Sequence, residues 1–206
     1  MPKNAALPTF RREKFLRRKG FWPVAGIDEV GRGCLAGPVA AAAVILNPSD
    51  LPYGLNDSKC LAPAVREALY EEILARALAV AFAFVSAADI DRVNIRQASL
   101  AAMRRALAGL AVAPCHVLID GNDLPDALAC SGETIVRGDA LSASIAAASI
   151  VAKVARDRLM IRLCRSHPVY GFSRHVGYAT REHLAAIAEH GPSPYHRLSF
   201  SPFRVI

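Results

Sequence analysis

The sequence predicts an α/β protein: a mixed sheet flanked by helices, followed by a helical C-terminal part. Three observations carry this. Five short runs, VAGIDEV (24–30), PVAAAAVIL (38–46), LAVAFAFVSA (78–87), HVLIDG (116–121) and ETIVRGD (133–139), are rich in apolar, β-compatible residues. Stretches with apolar residues at helical spacing separate several of them. A glycine-rich turn, GRGCLAG, joins the first two runs and suits an antiparallel pair.

The first 20 residues, MPKNAALPTFRREKFLRRKG, read as a basic, partly ordered arm. After the two strands and their turn, APAVREALYEEILARAL (62–78) predicts a helix with Pro63 in its first turn, where proline is accepted. VNIRQASLAAMRRALAGL (93–110) predicts a second, ending near Gly109. SASIAAASIVAKVARDRLMIRLCRS (142–166) is long and apolar over its first half, as a helix buried against a sheet should be. TREHLAAIAEHG predicts a further helix before the tail SPYHRLSFSPFRVI. The organisation expected is an arm over residues 1–20, a catalytic core over 21–165 and a C-terminal helical region over 166–206 packed on it.

Composition narrows the function. The 206 residues carry 25 Lys plus Arg against 18 Asp plus Glu, a formal charge of +7. A basic surface favours polyanions such as nucleic acid. No apolar run is long and pure enough to span a bilayer, and the N-terminus lacks a secretory-type hydrophobic segment. Cys34, Cys60, Cys115, Cys130 and Cys164 are odd in number, widely spaced and without CxxC. That predicts a reducing cytoplasm and no disulfide framework. His167, His175, His183, His190 and His196 crowd the C-terminal part, but without paired cysteines or HExxH spacing they read as surface and packing residues.

The polar exceptions within the strands matter most. Asp28 and Glu29 interrupt the first run, Asp120 ends the fourth and Asp139 follows the fifth. A carboxylate buried alone is costly. Several gathered at strand ends suit a hard cation such as Mg²⁺, which prefers oxygen ligands. Two such ions about 4 Å apart can clamp both oxygens of a phosphodiester displacement. Taken singly, Asp120 before Gly121 reads as a turn residue and Asp139 as a helix cap. Regular strand alternation would send Asp28 and Glu29 to opposite faces. The turn at Gly31 offers a way for the strand to distort and bring Glu29 round.

GIDEVGRGCLAGPVAAAAVIL, LNDSK, VLIDGN, RGDALSASIAAASIVAKVARDRLM and YGFSRHVGYATREHLAAIAEHGPSPYHRLSF closely resemble the bacterial type 2 ribonuclease H family, ribonuclease HII, in order from about residue 24 to 200. The resemblance implies the ribonuclease H-like fold, a five-stranded mixed sheet with flanking helices and a C-terminal helical extension. It implies cleavage of RNA in RNA–DNA hybrids and incision 5′ to a single ribonucleotide in duplex DNA, leaving 3′-hydroxyl and 5′-phosphate ends. It implies two Mg²⁺ or Mn²⁺ ions held by Asp28, Glu29, Asp120 and Asp139. Asp28 would bridge the ions, Glu29 and Asp120 would complete one shell and Asp139 the other. Gly31, Arg32 and Gly33 correspond to the family's recognition element for the ribose 2′-hydroxyl, the group by which a protein separates RNA from DNA. Tyr178 corresponds to its substrate-contacting tyrosine.

Lys59 and Lys153 are candidate phosphate ligands or partners of the acids; Asp157, four residues from Lys153, suits a helical ion pair. Asp123 reads as a loop residue. The chain departs from the family pattern with Ala179 for glycine or proline, Cys60 for lysine and Arg96 for a hydrophobic residue. A monomer without membrane attachment is expected. The alternatives are a non-catalytic nucleic-acid-binding module, which would need one of the four acids missing, or another metal nuclease of the superfamily, which would lack GRG.

Overall fold

The computed structural model describes residues 7–203. A five-stranded sheet has the order β3-β2-β1-β4-β5. Its strands are β1 (Val24–Val30), β2 (Val39–Ile45), β3 (Ala79–Val85), β4 (His116–Asp120) and β5 (Ser131–Ile135). β1 pairs antiparallel with β2 and parallel with β4; β2–β3 is antiparallel and β4–β5 parallel. The fifth strand thus lies two residues upstream of the run ETIVRGD. The rest of that run forms the turn carrying Asp139.

The helices are α1 (Arg11–Arg18), α2 (Pro63–Arg76), α3 (Ala87–Val93), α4 (Ile95–Ala108), α5 (Ala143–Ser166), α6 (Phe172–His175) and α7 (Arg181–His190). Two 3₁₀ turns, Gly138–Ala140 and Pro168–Tyr170, flank α5. The expected helix over 93–110 begins only at Ile95, and the separate α3 precedes it. Asn94 separates them with φ 69°, and its side chain accepts from the Gln97 N–H to cap α4. Residues 11–18, expected within a basic arm, form α1, whose Glu13 and Leu16 are buried. Among the described residues, no helix is long and apolar enough to cross a membrane.

Strand alternation sorts the core into two layers. Ala42 and Val44 of β2 pack with α2 and α5, around Leu69, Ile73, Ala147 and Ile150. Val39, Ala41, Ala43 and Ile45 face α4, around Ala98, Ala102 and Met103. In β1, Ala25 and Ile27 join the α4 layer, whereas Val24 packs with Leu118, Ile135 and Ile145 beneath α5. The alanines of β2 and α5 allow close approach, and Gly26 takes this to its limit. A Cβ on Gly26 would lie 2.1 Å from the Ser144 carbonyl carbon.

The C-terminal part closes over the end of α5 around Tyr170, Phe172 and Met160. His175 and His183 stack at 4.3 Å between ring centroids, and His183 Nε2 meets His196 Nε2 at 3.1 Å. The hydrogen bonds define one neutral tautomer chain. His175 Nδ1 accepts from the Gly177 N–H and His196 Nδ1 from the Ser193 N–H; His183 Nδ1 faces the Tyr178 carbonyl at 2.8 Å. A single proton then serves the contact between His183 and His196. Burial lowers all three pKa values, that of His196 to about 4, with neighbouring His183 adding to the shift.

Gly26→Ala should cost at least about 3 kcal/mol, the upper range for overpacking, because a backbone atom of α5 cannot yield. A chemical-denaturation midpoint near that of the parent would contradict this packing. The histidines give a pH effect of defined sign. A group whose folded pKa is depressed stabilises the fold above its unfolded value, here 6.5, and this is lost as pH falls through about 4. The raised carboxylates Asp28, Glu29 and Asp139 act oppositely, gaining stability on acidification of the metal-free protein. Hydrogen-exchange protection should therefore drop at Ser193 between pH 6.5 and 4, and at Gly177 at some pH below 6.5, before it drops in the sheet. A uniform response would show that the histidines do not titrate separately.

Candidate active site

β1 and β4 run side by side, and Ile27 is paired with Ile119. The next residues, Asp28 and Asp120, therefore stand at adjacent strand ends. Both carry the parity of the residues packed under α5, as Gly26 and Leu118 show. The chain leaves β5, adopts left-handed backbone at Arg137 (φ 59°) and enters the Gly138–Ala140 turn with Asp139. The Gly138 N–H donates to Asp120 Oδ1 at 2.6 Å, tying this turn to the end of β4. Oxygens of Asp28, Asp120 and Asp139 lie within 4.8 Å of one another, spacing that a metal ion can bridge.

Glu29 is not in that trio. β1 keeps its ladder through Val30, paired with Ala40, so the strand does not distort at the carboxylate pair. Glu29 takes the other parity and accepts a hydrogen bond from Arg32 Nη1 at 3.1 Å. It is still near enough for Asp120 to help raise its pKa. Three of the four expected acids thus converge and the fourth stands at their margin.

The electrostatics are those of a cation site. Burial raises Asp28 well above the usual carboxylate range, and repulsion from Glu29 and Asp120 adds to it; the Ser149 hydroxyl opposes the shift. Asp139 is raised by burial, then by Asp120 and Asp57, against the pull of Lys59. Glu29 is raised by burial, with Arg32 opposing. Such groups would either share protons or gather a divalent cation. An all-oxygen donor set fits a hard divalent cation such as Mg²⁺ or Mn²⁺.

Lys59 reaches Asp139 at 3.6 Å and Asp57 at 3.9 Å. Partial burial pulls its ammonium pKa down, but these carboxylates, with Asp28 and Asp120, more than reverse that. Lys153 is occupied by Asp157 at 2.9 Å, the helical pair expected from their spacing. Asp123 lies in the loop after β4 and binds Arg96 at 2.7 Å, so the unusual arginine has a partner. Cys60 is exposed beside Asp57.

The glycine–arginine–glycine turn is held from behind by two arginines to which sequence reading assigned no role. Arg156 and Arg197 are fully buried. Arg197 donates to the carbonyls of Gly31, Arg32 and Gly37 at 2.7–3.0 Å. Arg156 donates to those of Ala36, Pro38 and Val176. Burial brings Arg197 down to a pKa of about 10, so it stays charged at neutral pH. Their only sequence signals were arginines in apolar surroundings, at AKVARD and YHRLSF. Gly31 has φ +90°, and a Cβ there would strike Arg156 Nε at 2.2 Å; a Cβ on Gly33 would meet nothing within 4 Å. Gly31 is thus required by the scaffold, whereas Gly33 faces open space.

Tyr178 joins this surface through its neighbour. The Gly177 carbonyl accepts from the Leu35 N–H at 2.8 Å, and a Cβ on Gly177 would sit 2.3 Å from the Ala36 oxygen. Tyr178 is therefore fixed beside Cys34, with its side chain part-exposed at 43 %.

The chain is similar to known proteins over nearly its whole length. The ribonuclease HII family model matches residues 25–202. Ribonuclease HII of Rhizobium meliloti (strain 1021) is 57% identical over 205 residues, covering 100% of this chain and 94% of that protein. Ribonuclease HII of Brucella ovis is 56% identical over 198 residues, covering 96% and 90%. Among solved structures, ribonuclease H2 from Pyrococcus horikoshii OT3 superposes with a TM-score of 0.75 at 23% identity, covering 87% of this chain and 94% of that one. Bst-RNase HIII in complex with Mn²⁺ superposes at 0.67 with 18% identity, over 87% and 67%. The full-length match and the convergence of Asp28, Asp120 and Asp139 lead to one conclusion: the chain belongs to the ribonuclease HII family and is a hydrolase that acts as a ribonuclease H.

Proposed function

We propose that the chain cleaves the RNA strand of RNA–DNA hybrids and incises duplex DNA 5′ to single embedded ribonucleotides, leaving 3′-hydroxyl and 5′-phosphate ends. The observation that supports this best is the acid trio beside the pinned turn of Gly31, Arg32 and Gly33. Asp28, Asp120 and Asp139, with Glu29 at the margin, would hold Mg²⁺ or Mn²⁺, two ions in the working complex, which supply charge stabilisation and an activated water. All these acids come from one chain, which supports a site complete in the monomer.

The protein's own part is positioning. Arg197 occupies the carbonyls of Gly31 and Arg32, so the turn meets substrate already fixed. The open space at Gly33 lets a ribose approach the backbone closely. A backbone that bonds the 2′-hydroxyl distinguishes RNA from DNA at that nucleotide. Lys59 and Arg32 are exposed and suited to flanking phosphates. Tyr178 reads the next sugar, a deoxyribose, and so the junction. In this reading residues 21–165 form the catalytic core and 166–206 present the tyrosine. The five free cysteines support a cytoplasmic setting.

Asp120→Asn keeps an oxygen for the Gly138 N–H but loses a ligand charge. Cleavage should fall by more than about a hundredfold, beyond what outer-shell partners usually cost, with substrate affinity retained. Cleavage near the parent rate in Mg²⁺ would remove Asp120 from the ligand set. Replacing the 2′-hydroxyl by hydrogen or 2′-O-methyl should nearly eliminate cleavage there, because it leaves buried polar groups unpaired. Gly33→Val should give the same loss with an unchanged melting temperature. Tyr178→Ala should weaken single-ribonucleotide incision about tenfold, as for a lost aromatic stack, and hybrid cleavage much less. Equal losses on both substrates would make Tyr178 structural.

A further inference from the structure

Glu13 is fully buried although it lies near the N-terminus, in a helix otherwise rich in exposed Arg and Lys. A buried carboxylate needs compensation. Here the Ser142 hydroxyl donates to its Oε1 at 2.6 Å and the Ser144 N–H at 3.0 Å. Both donors belong to the first turn of α5, and the positive end of that 24-residue helix favours the charge. Four residues earlier, Thr9 bridges the same segment. The Thr9 N–H donates to the Leu141 carbonyl at 3.1 Å, and the Ala143 N–H donates to the Thr9 carbonyl at 3.1 Å. Leu16 completes the contact against Ile135 and Ile145. Residues 9–16 thus grip 141–145, which begin two residues after Asp139.

What is gripped is the turn that aims Asp139. It is closed by the Leu141 and Ser142 N–H groups, both donating to the Gly138 carbonyl at 3.0 and 2.8 Å. Gly138 in turn holds Asp120. Ser142 therefore has three tasks: its N–H closes the turn, its oxygen caps α5 at the Ile145 N–H, and its hydroxyl hydrogen goes to Glu13. If Glu13 is removed, that hydroxyl and the Ser144 N–H lose their acceptor inside the protein. The loss falls three residues from Asp139.

We propose that Glu13 is a positioning residue for the metal site. Through Ser142 and Ser144 it sets the turn that carries Asp139, so the N-terminal segment belongs to the frame of the active site. The inference rests on Asp139 serving as a metal ligand. A carbonyl oxygen can take both hydrogen bonds, so Gln should substitute for Glu where Ala cannot.

The test measures Mn²⁺ binding to the metal-free full-length protein by calorimetry, beside Mg²⁺ titrations of cleavage and the substrate KM. Glu13→Ala should weaken Mn²⁺ binding and raise half-saturating Mg²⁺ about tenfold or more, with KM within about twofold, as for other outer-shell partners. Glu13→Gln should restore both. Metal affinity equal to the parent in folded Glu13→Ala would overturn the proposal, as would a Gln variant no better than Ala. Should Glu13→Ala not fold, Ser142→Ala carries the same measurement with the same expected shift. Asp139→Asn is run in parallel. If its metal binding is unchanged, the ligand assignment itself fails, whatever Glu13 does.

Discussion

At Gly26, helix α5 lies against β1 without a side chain between them, and most of the candidate site follows from that contact. Gly26 permits it, since any Cβ would overlap the Ser144 backbone. With α5 this close, Ser149 comes to bear on Asp28, and the turn before the helix delivers Asp139 to the same strand end. About two turns further along, Arg156 bonds the carbonyls of Ala36 and Pro38, in the loop that follows the glycine–arginine–glycine turn. A displacement of about an ångström here would change the acid spacing and the glycine–arginine–glycine turn together, and reacting groups tolerate little misplacement. The run of alanines in β2 and α5 serves the same end, because small residues let the layers close.

Three kinds of group hold the chain segments around the site, matched to what each must resist. Arg156 and Arg197 are buried and bond neutral carbonyls, which solvate a charge without cancelling it. Each bonds several carbonyls at once, so the loop 31–38 and the segment 176–178 cannot shift independently. The histidine cluster works without charge; its tautomers lock Gly177 and Tyr178 from the other side. Glu13 acts where a helix dipole already favours a negative charge.

The sheet, the long helix and the acids could be read from sequence because each leaves a local pattern. Apolar runs at period two and an apolar half-helix are such patterns. Asp28, Asp120 and Asp139 stood out as charges at strand ends, and the structure brings them together. Glu29 could not be placed this way. Alternation assigned it to the opposite face, and the hope that Gly31 would bend the strand fails because the ladder continues to Val30. Helix α3 was missed because its boundary depends on one left-handed residue, Asn94. The roles of Arg156, Arg197 and Glu13 were invisible for a different reason. Except for the Val176 carbonyl bonded by Arg156, their partners lie more than 100 residues away, and nothing local marks a charged residue as buried.

The cations around the acids divide into two groups by exposure. Arg156 and Arg197, fully buried, bond backbone carbonyls and, among the described residues, no carboxylate. Arg32 and Lys59 do pair with acids, Glu29 and Asp139, but their side chains are 46% and 74% exposed. Exposed pairs are typically worth about 0–1 kcal/mol. Such a pair can exchange its carboxylate for a phosphate at little cost, while a buried arginine cannot leave its carbonyls without exposing an unsolvated charge. The burial and repulsion that raise Asp28 and Asp139 therefore meet only weak, replaceable compensation from the neighbouring cations. That leaves the trio poised for a divalent cation, and it leaves the two exposed cations available once one is bound.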